Sequence, residues 1–120
     1  MSKILKIVAS TLLGLGLTLG LAACSQKVDA SKATAIIDVR TPDEYASGHL
    51  QGAVNINVES PEFDSQVATM DKEGIYLLYC HSGRRASIAL DRMHSLGFKN
   101  LTNLGGYQDA SDATGLPIVQ

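Results

Sequence analysis

Four short runs of apolar residues are separated by longer polar segments from residue 35 onward. They cover residues 35–39, 53–58, 75–79 and 100–104, and most are rich in β-branched or aromatic side chains. Runs of this length and composition predict buried strands. The third run, IYLLY, is the most apolar and is therefore expected to lie in the centre of a sheet.

A short helix is predicted over residues 41–48, between the first two strands. Thr41 is a typical N-cap, Pro42 occupies the first helical position, and Glu44 completes a capping box. Gly48 then ends the helix.

Three further helices are predicted between and after the remaining strands. Residues 60–70 begin with Ser60 as N-cap, followed by Pro61, and a short helix is expected around residues 107–110. The longest covers residues 84–96, ends at Gly97, and has an apolar face formed by Ala86, Ala89, Met93 and Leu96. Strands that alternate with helices predict an α/β fold, an open parallel sheet of about four to five strands with helices on both faces.

The N-terminal segment has the layout of an export signal. Lys3 and Lys6 precede an apolar stretch over residues 7–23, which is shorter than the roughly 20 residues that a transmembrane helix needs. Residues 1–23 are therefore predicted to be a cleaved signal peptide, with a transmembrane anchor as the alternative.

The four residues LAAC at positions 21–24 resemble the lipobox of bacterial lipoproteins. The resemblance implies that Cys24 receives a diacylglyceryl group and becomes the acylated first residue. Residues 24–33 would then be a lipidated N-terminus and tether, and residues 34–120 the folded domain. An ordinary cleavage site that happens to contain Cys24 is the alternative.

The expected location is extracytoplasmic, on the periplasmic side of a membrane to which the lipid on Cys24 attaches the protein. Ser25 resembles the residue that sends such lipoproteins to the outer membrane in bacteria that have one. Fractionation of cells carrying wild type or Cys24→Ala tests this location, because two or more acyl chains hold a protein stably on a membrane.

Composition and charge limit the function classes. A chain of 120 residues with 45% hydrophobic content and a formal net charge of −2 is expected to form one domain at most. A monomer is also expected, although no single residue encodes the oligomeric state. Removal of the signal peptide would make the chain more acidic. No basic stripe with interleaved aromatic residues remains, and the acidic balance would repel a phosphate backbone, so no nucleic-acid partner is expected.

Cys80 is the only thiol in the chain if Cys24 is acylated, so no internal disulfide can form. An unpaired thiol in an oxidising compartment is either buried and inert or kept for its reactivity.

The position of Cys80 favours reactivity. It follows the predicted central strand, at the edge of the sheet where open α/β folds place their sites. The turn that follows leads into a helix, and the backbone N–H groups of such a turn form a concavity that favours negative charge. This environment is expected to favour the thiolate form of Cys80. The turn consists of His81, Ser82, Gly83 and Arg84.

The alternative is that Cys80 has only a structural role, as a buried core cysteine followed by an ordinary turn. Arg84 and Arg85 would then be the solvated start of a helix. Positive charge at a helix N-terminus opposes the helix dipole. That cost favours an anionic ligand near the two arginines.

Three motifs follow one another along the chain: IIDVRTPDEYASGHLQGAVNI at 36–56, YCHSGRRA at 79–86 and NLGGY at 103–107. In sequence and order they resemble the motifs of the single-domain rhodaneses, the thiosulfate sulfurtransferase family. The second matches the family's loop pattern Cys-x-x-Gly-x-Arg. One departure is the absence of the tryptophan that often follows the glycine pair.

The resemblance implies that Cys80 takes the outer sulfur of thiosulfate or a similar donor and holds it as a persulfide for a thiol or cyanide acceptor, without a cofactor. Residues 81–85 would cradle the anion, with Arg85 at the position of the loop arginine. Asp38 and Arg40 are expected to form a structural ion pair or cap. His49 is expected to make a hydrogen bond that organises the turn in which it lies.

Two other function classes remain open. Tyrosine phosphatases also carry a cysteine in an anion-binding loop, but their arginine comes six residues after it, where this chain has Ala86. A non-catalytic sulfur carrier or a redox or binding module would use Cys80 without turnover. No set of histidine, cysteine and aspartate has metal-ligand spacing, so a metal site is not expected.

Overall fold

The computed structural model of the protein describes residues 27–120. The predicted signal peptide and Cys24, for which lipidation is predicted, lie outside this part of the chain. Within residues 27–120, no helix combines the length and the apolar character that crossing a bilayer requires.

A parallel sheet of four strands forms the centre of the domain. The strands are β1 (Ala35–Asp38), β3 (Val54–Asn55), β4 (Ile75–Cys80) and β5 (Asn100–Gly106), and β2 (His49–Leu50) belongs to a second, smaller pairing. Their order across the sheet is β3-β1-β4-β5. The inner strands are buried because helices cover both of their faces, as the near-continuous apolar sequence of β4 requires.

Two apolar clusters lie on opposite faces of this sheet, because successive side chains of a strand point to opposite sides. Ile37 and Leu78 pack under α2 (Phe63–Val67) and α3 (Arg84–Ser95). Ile36 and Leu77 face the side where α1 (Pro42–Ser47) and α4 (Tyr107–Thr114) contribute Tyr45, Tyr107 and Ala110. The predicted α/β fold with helices on both faces is confirmed.

The helices predicted over residues 41–48 and 84–96 are present as α1 and α3, with ends within one residue of the predicted ones. The Thr41 side chain accepts a hydrogen bond from the Glu44 amide while the Glu44 carboxylate accepts one from the Thr41 amide, so the capping box is present. Ala86, Ala89 and Met93 are fully buried on one face of α3, as predicted.

Other predicted boundaries are wrong. The strand predicted over residues 53–58 is only Val54–Asn55, because beyond it the chain makes isolated hydrogen bonds, from the Ile56 and Val58 amides to the carbonyls of Asp38 and Val39. The helix predicted over residues 60–70 is only Phe63–Val67. Ser60 does not cap it; its hydroxyl and carbonyl close a turn by accepting the Glu62 and Phe63 amides.

The C-terminal part contains more helix and strand than the sequence predicts. The last helix runs to Thr114 instead of residue 110, and β5 continues through the glycine pair to Gly106. Ile118–Val119, strand β6, pairs antiparallel with β2. Strands of two residues leave no periodic pattern, so this pairing is absent from the prediction.

Candidate active site

Cys80 is the last residue of β4 and lies at the carboxyl edge of the sheet, where its side chain is 1% exposed. Its Sγ atom accepts a hydrogen bond from the Gly83 amide, with a distance of 2.9 Å between nitrogen and sulfur. Gly83 is the N-cap of α3 and has a φ of 99°, a left-handed conformation that glycine adopts without strain. The loop therefore curls over Cys80 and directs a backbone N–H group at its sulfur.

The end of β5 supports this loop from behind. The pairing of β4 with β5 is irregular between Leu78 and Cys80, which places Gly106 opposite Cys80. A Cβ atom at Gly106 would overlap the carbonyl oxygen of His81, so only glycine fits there. The Asn103 amide donates to the Gly83 carbonyl at 3.0 Å, while its oxygen accepts the Gly105 amide at 2.8 Å.

Arg85 is held by an ion pair with Glu44 of α1. Its two terminal nitrogens lie 2.7 and 3.0 Å from the two carboxylate oxygens, and one of them lies 3.5 Å from Glu59. Hydrogen bonds from Arg85 lower the pKa of Glu44 to about 2, and the same bonds raise the pKa of Arg85. The guanidinium of Arg85 thus fastens the start of α3 to α1.

The Glu44→Gln variant is expected to be less stable than wild type by about 1 kcal/mol at neutral pH, because it loses the ion pair but can keep the capping box. The depressed pKa makes this contribution fully present above pH 4.5, the ordinary Glu44 value, and lost as the pH falls through about 2. Denaturant unfolding of both proteins at a series of pH values measures the difference.

Glu73→Gln is the matched control, because the Glu73 pair with Lys99 is 68% exposed on both sides and should contribute almost nothing. A stability difference between wild type and Glu44→Gln that stays constant under acid would contradict the assignment.

Arg84 lies beside an open pocket of about 470 Å³ in front of the loop. It is exposed, and within residues 27–120 no carboxylate lies within ion-pair distance of it. The two arginines therefore differ: Arg85 is engaged with α1, and Arg84 faces the pocket. The pocket is lined by Val58, Glu59, His81, Ser82, Arg84, Arg85 and Ile88.

The model of the rhodanese-like domain family matches residues 21–113 of this chain. The chain belongs to the rhodanese-like family. It is 34% identical over 73 residues to the thiosulfate sulfurtransferase PspE of Escherichia coli, an alignment that covers 61% of this chain and 70% of that protein. It is 37% identical over 86 residues to the putative sulfur carrier protein YrkF of Bacillus subtilis, covering 72% of this chain and 45% of that one.

Solved structures agree with this family assignment. A rhodanese with anions from E. coli superposes with a TM-score of 0.60 at 31% identity, over 72% of this chain and 96% of the other. A Rhodanese_3-like domain from Anabaena gives a TM-score of 0.64 at 27% identity, over 73% of this chain and the whole of that one.

Asp38 and Arg40 form a buried ion pair in this rhodanese-like domain. The Arg40 Nη2 atom lies 2.7 Å from Asp38 Oδ2 and donates to the Gly48 carbonyl at 2.6 Å, while the guanidinium lies 4.8 Å from the centre of the Tyr107 ring. Burial works against the charge of Arg40, but the hydrogen bonds with Asp38 raise its pKa overall. The pair ties the end of β1 to the end of α1, and among residues 27–120 neither of its side chains hydrogen-bonds to Cys80.

The three histidines have different surroundings. The Nδ1 atom of His49 lies 2.8 Å from the Tyr45 carbonyl and its ring stacks on that of Tyr45 at 3.7 Å, so it holds the turn after α1. His81 is exposed in the pocket wall, with its ring 5.8 Å from that of Tyr107. His94 is exposed on α3. Among residues 27–120, no cluster of acidic, histidine and cysteine side chains could hold a metal ion.

The sequence interpretation missed two parts of the site. Glu44 was predicted only as a capping residue, although it also holds Arg85. The motif at 103–107 assigns no role to Asn103 or Gly106, although both hold the Cys80 loop. One sequence signal indicates that the backbone of β5 approaches the Cys80 loop closely. It is the glycine pair at the end of the last predicted strand.

Proposed function

We propose that this protein is a sulfurtransferase that moves sulfane sulfur from thiosulfate or a similar donor to a thiophilic acceptor through a persulfide on Cys80. The observation that carries the proposal is the Gly83 amide hydrogen bond to the Cys80 sulfur at the carboxyl end of β4. A donor directed at the sulfur stabilises negative charge there, first on the thiolate and then on the outer persulfide sulfur.

In this reaction, the Cys80 thiol is the only protein group that forms or breaks covalent bonds. The Cys80 thiolate attacks the outer sulfur of thiosulfate, the sulfur–sulfur bond of the donor breaks, and sulfite leaves with the electron pair. An acceptor such as cyanide then attacks the outer sulfur of the persulfide. The second sulfur–sulfur bond breaks, its electron pair returns to Cys80 as thiolate, and thiocyanate leaves.

The positions of the arginines support sulfur rather than phosphate as the transferred group. Arg85 comes one residue earlier than the arginine of a tyrosine phosphatase loop, and its guanidinium is already engaged by Glu44 at 2.7 and 3.0 Å. Arg85 is therefore not free to clamp a tetrahedral phosphoryl group over Cys80.

The second candidate function is a sulfur carrier, because the relative YrkF bears that name. A carrier and an enzyme differ in turnover, since a carrier holds one sulfur atom for each Cys80 and passes it only to its own partner.

We expect catalytic turnover: with excess thiosulfate and cyanide, the purified domain should form many molecules of thiocyanate for each molecule of protein. The measurement is thiocyanate formed against time at several protein concentrations. Product that stops at one equivalent of the protein would favour the carrier. Absence of both product and persulfide would reject the proposal.

A further inference from the structure

The pocket in front of the Cys80 loop has one cationic side chain whose charge no carboxylate balances. Glu44 and Glu59 both lie near Arg85, at 2.7 and 3.5 Å. Within the described range 27–120, neither these nor any other carboxylate reaches Arg84, and no hydrogen bond engages its guanidinium. Arg84 is therefore available to an anionic group that enters the pocket.

An apolar side chain lies beside this cation. Ile88 follows Arg84 by four residues on α3, so the two lie on the same face of the helix one turn apart. Ile88 is 46% exposed although it is a large hydrophobic residue, and Val58, which is almost fully buried, also lines the pocket. A ligand for this pocket needs both an anionic group and an apolar part.

The position of Arg84 is unfavourable for the helix itself. The first turn of α3 contains Arg84 and Arg85 but no acidic residue, and no side chain caps it. A cation near a helix N-terminus opposes the helix dipole. Arg85 is compensated by its ion pair with Glu44, whereas nothing described compensates Arg84, so an anionic ligand would relieve the repulsion.

The size of the pocket argues for a ligand larger than the sulfur donor. A volume of about 470 Å³ lies within the range of sites for organic molecules and greatly exceeds that of thiosulfate. The remaining substrate of a sulfur transfer is the acceptor.

We propose that the acceptor is a small organic thiol that carries a carboxylate, which pairs with Arg84 while the carbon chain contacts Ile88. This inference rests on the proposed sulfurtransferase function. The thiolate of the acceptor attacks the outer sulfur of the Cys80 persulfide, whose sulfur–sulfur bond breaks. The electron pair returns to Cys80 as thiolate, and the acceptor leaves as an organic persulfide.

The test separates loading from release. Wild type and Arg84→Gln are first loaded with thiosulfate, freed of excess donor, and confirmed by mass to carry one extra sulfur. Each is then mixed with 3-mercaptopropionate, neutral 2-mercaptoethanol or cationic cysteamine, and the loss of that sulfur is followed. The ratio of wild-type to variant rate for each thiol cancels the intrinsic reactivity of the thiol.

We expect Arg84→Gln to slow release to 3-mercaptopropionate by about fivefold, to leave 2-mercaptoethanol nearly unchanged, and to leave cysteamine unchanged or faster. Arg84→Lys, which keeps the charge, should restore most of the rate. Lys99→Gln removes a charge that is 68% exposed and outside the pocket lining, and it should alter none of the ratios.

The outcomes distinguish this proposal from the one on which it rests. Wild type that takes up no sulfur overturns both. A persulfide that loads normally but is released with the same ratio for all three thiols overturns the carboxylate acceptor alone. An Arg84→Gln variant that slows only the loading step overturns it as well, because Arg84 would then serve the donor.

Discussion

The Cys80→Ser protein is expected to form no thiocyanate from thiosulfate and cyanide above background, a loss of about a thousandfold or more. Serine is nearly the same size, and its oxygen can still accept the Gly83 hydrogen bond, so the fold should persist. A hydroxyl group does not take up sulfane sulfur under these conditions, because it stays protonated and is a poor nucleophile toward sulfur. The assay is thiocyanate formation under saturating donor and acceptor.

Thermal unfolding and circular dichroism of the same variant provide the control for folding. Cys80 is buried among apolar side chains, so a modest shift in the unfolding temperature is compatible with the account. A folded Cys80→Ser protein that retained wild-type activity would show that another group carries the sulfur.

Gly106→Ala is expected to lose about a hundredfold in sulfur transfer while remaining folded. The added Cβ overlaps the His81 carbonyl, which belongs to the backbone of the Cys80 loop and cannot rotate away as a flexible side chain would. The loop must shift, and small displacements of reacting groups can cost about two orders of magnitude in rate. The accompanying loss of stability should be about 1 to 3 kcal/mol. Steady-state thiocyanate assays and denaturant unfolding measure the two effects.

Gly52→Ala is the matched control. A Cβ at Gly52 meets no atom within 4 Å, but its φ of 86° strains any residue with a side chain. This variant should therefore lose stability without losing activity per folded molecule. Equal losses of activity in Gly52→Ala and Gly106→Ala would mean that general destabilisation, not the position of the loop, explains the effect.

Local signals were sufficient to predict the elements that build the site. The apolar run ending at Tyr79 predicted the central strand, and the Thr41 capping box fixed the start of α1 within one residue. The Cys80 turn was placed between a strand and a helix because Gly83 and the periodic apolar face of α3 mark that boundary. These features depend on neighbours in the chain, which a sequence displays directly.

The contacts between distant segments could not be predicted in the same way. Glu44 and Arg85 are 41 residues apart, and nothing in either motif states that the two helices meet. The contact of Gly106 with the loop depends on an irregular register between β4 and β5, which is set by tertiary packing. The pairing of β2 with β6 likewise joins two-residue strands that carry no periodicity of their own.

The central claim is that Cys80 carries the sulfur, and the mass of the intact protein after incubation with thiosulfate tests it most directly. The account predicts that the wild-type protein gains the mass of one sulfur atom, that peptide mapping places it on Cys80, and that cyanide removes it. Cys80→Ser should gain nothing. A wild-type protein whose mass does not change, or a sulfur atom found on Cys80→Ser, would contradict the account.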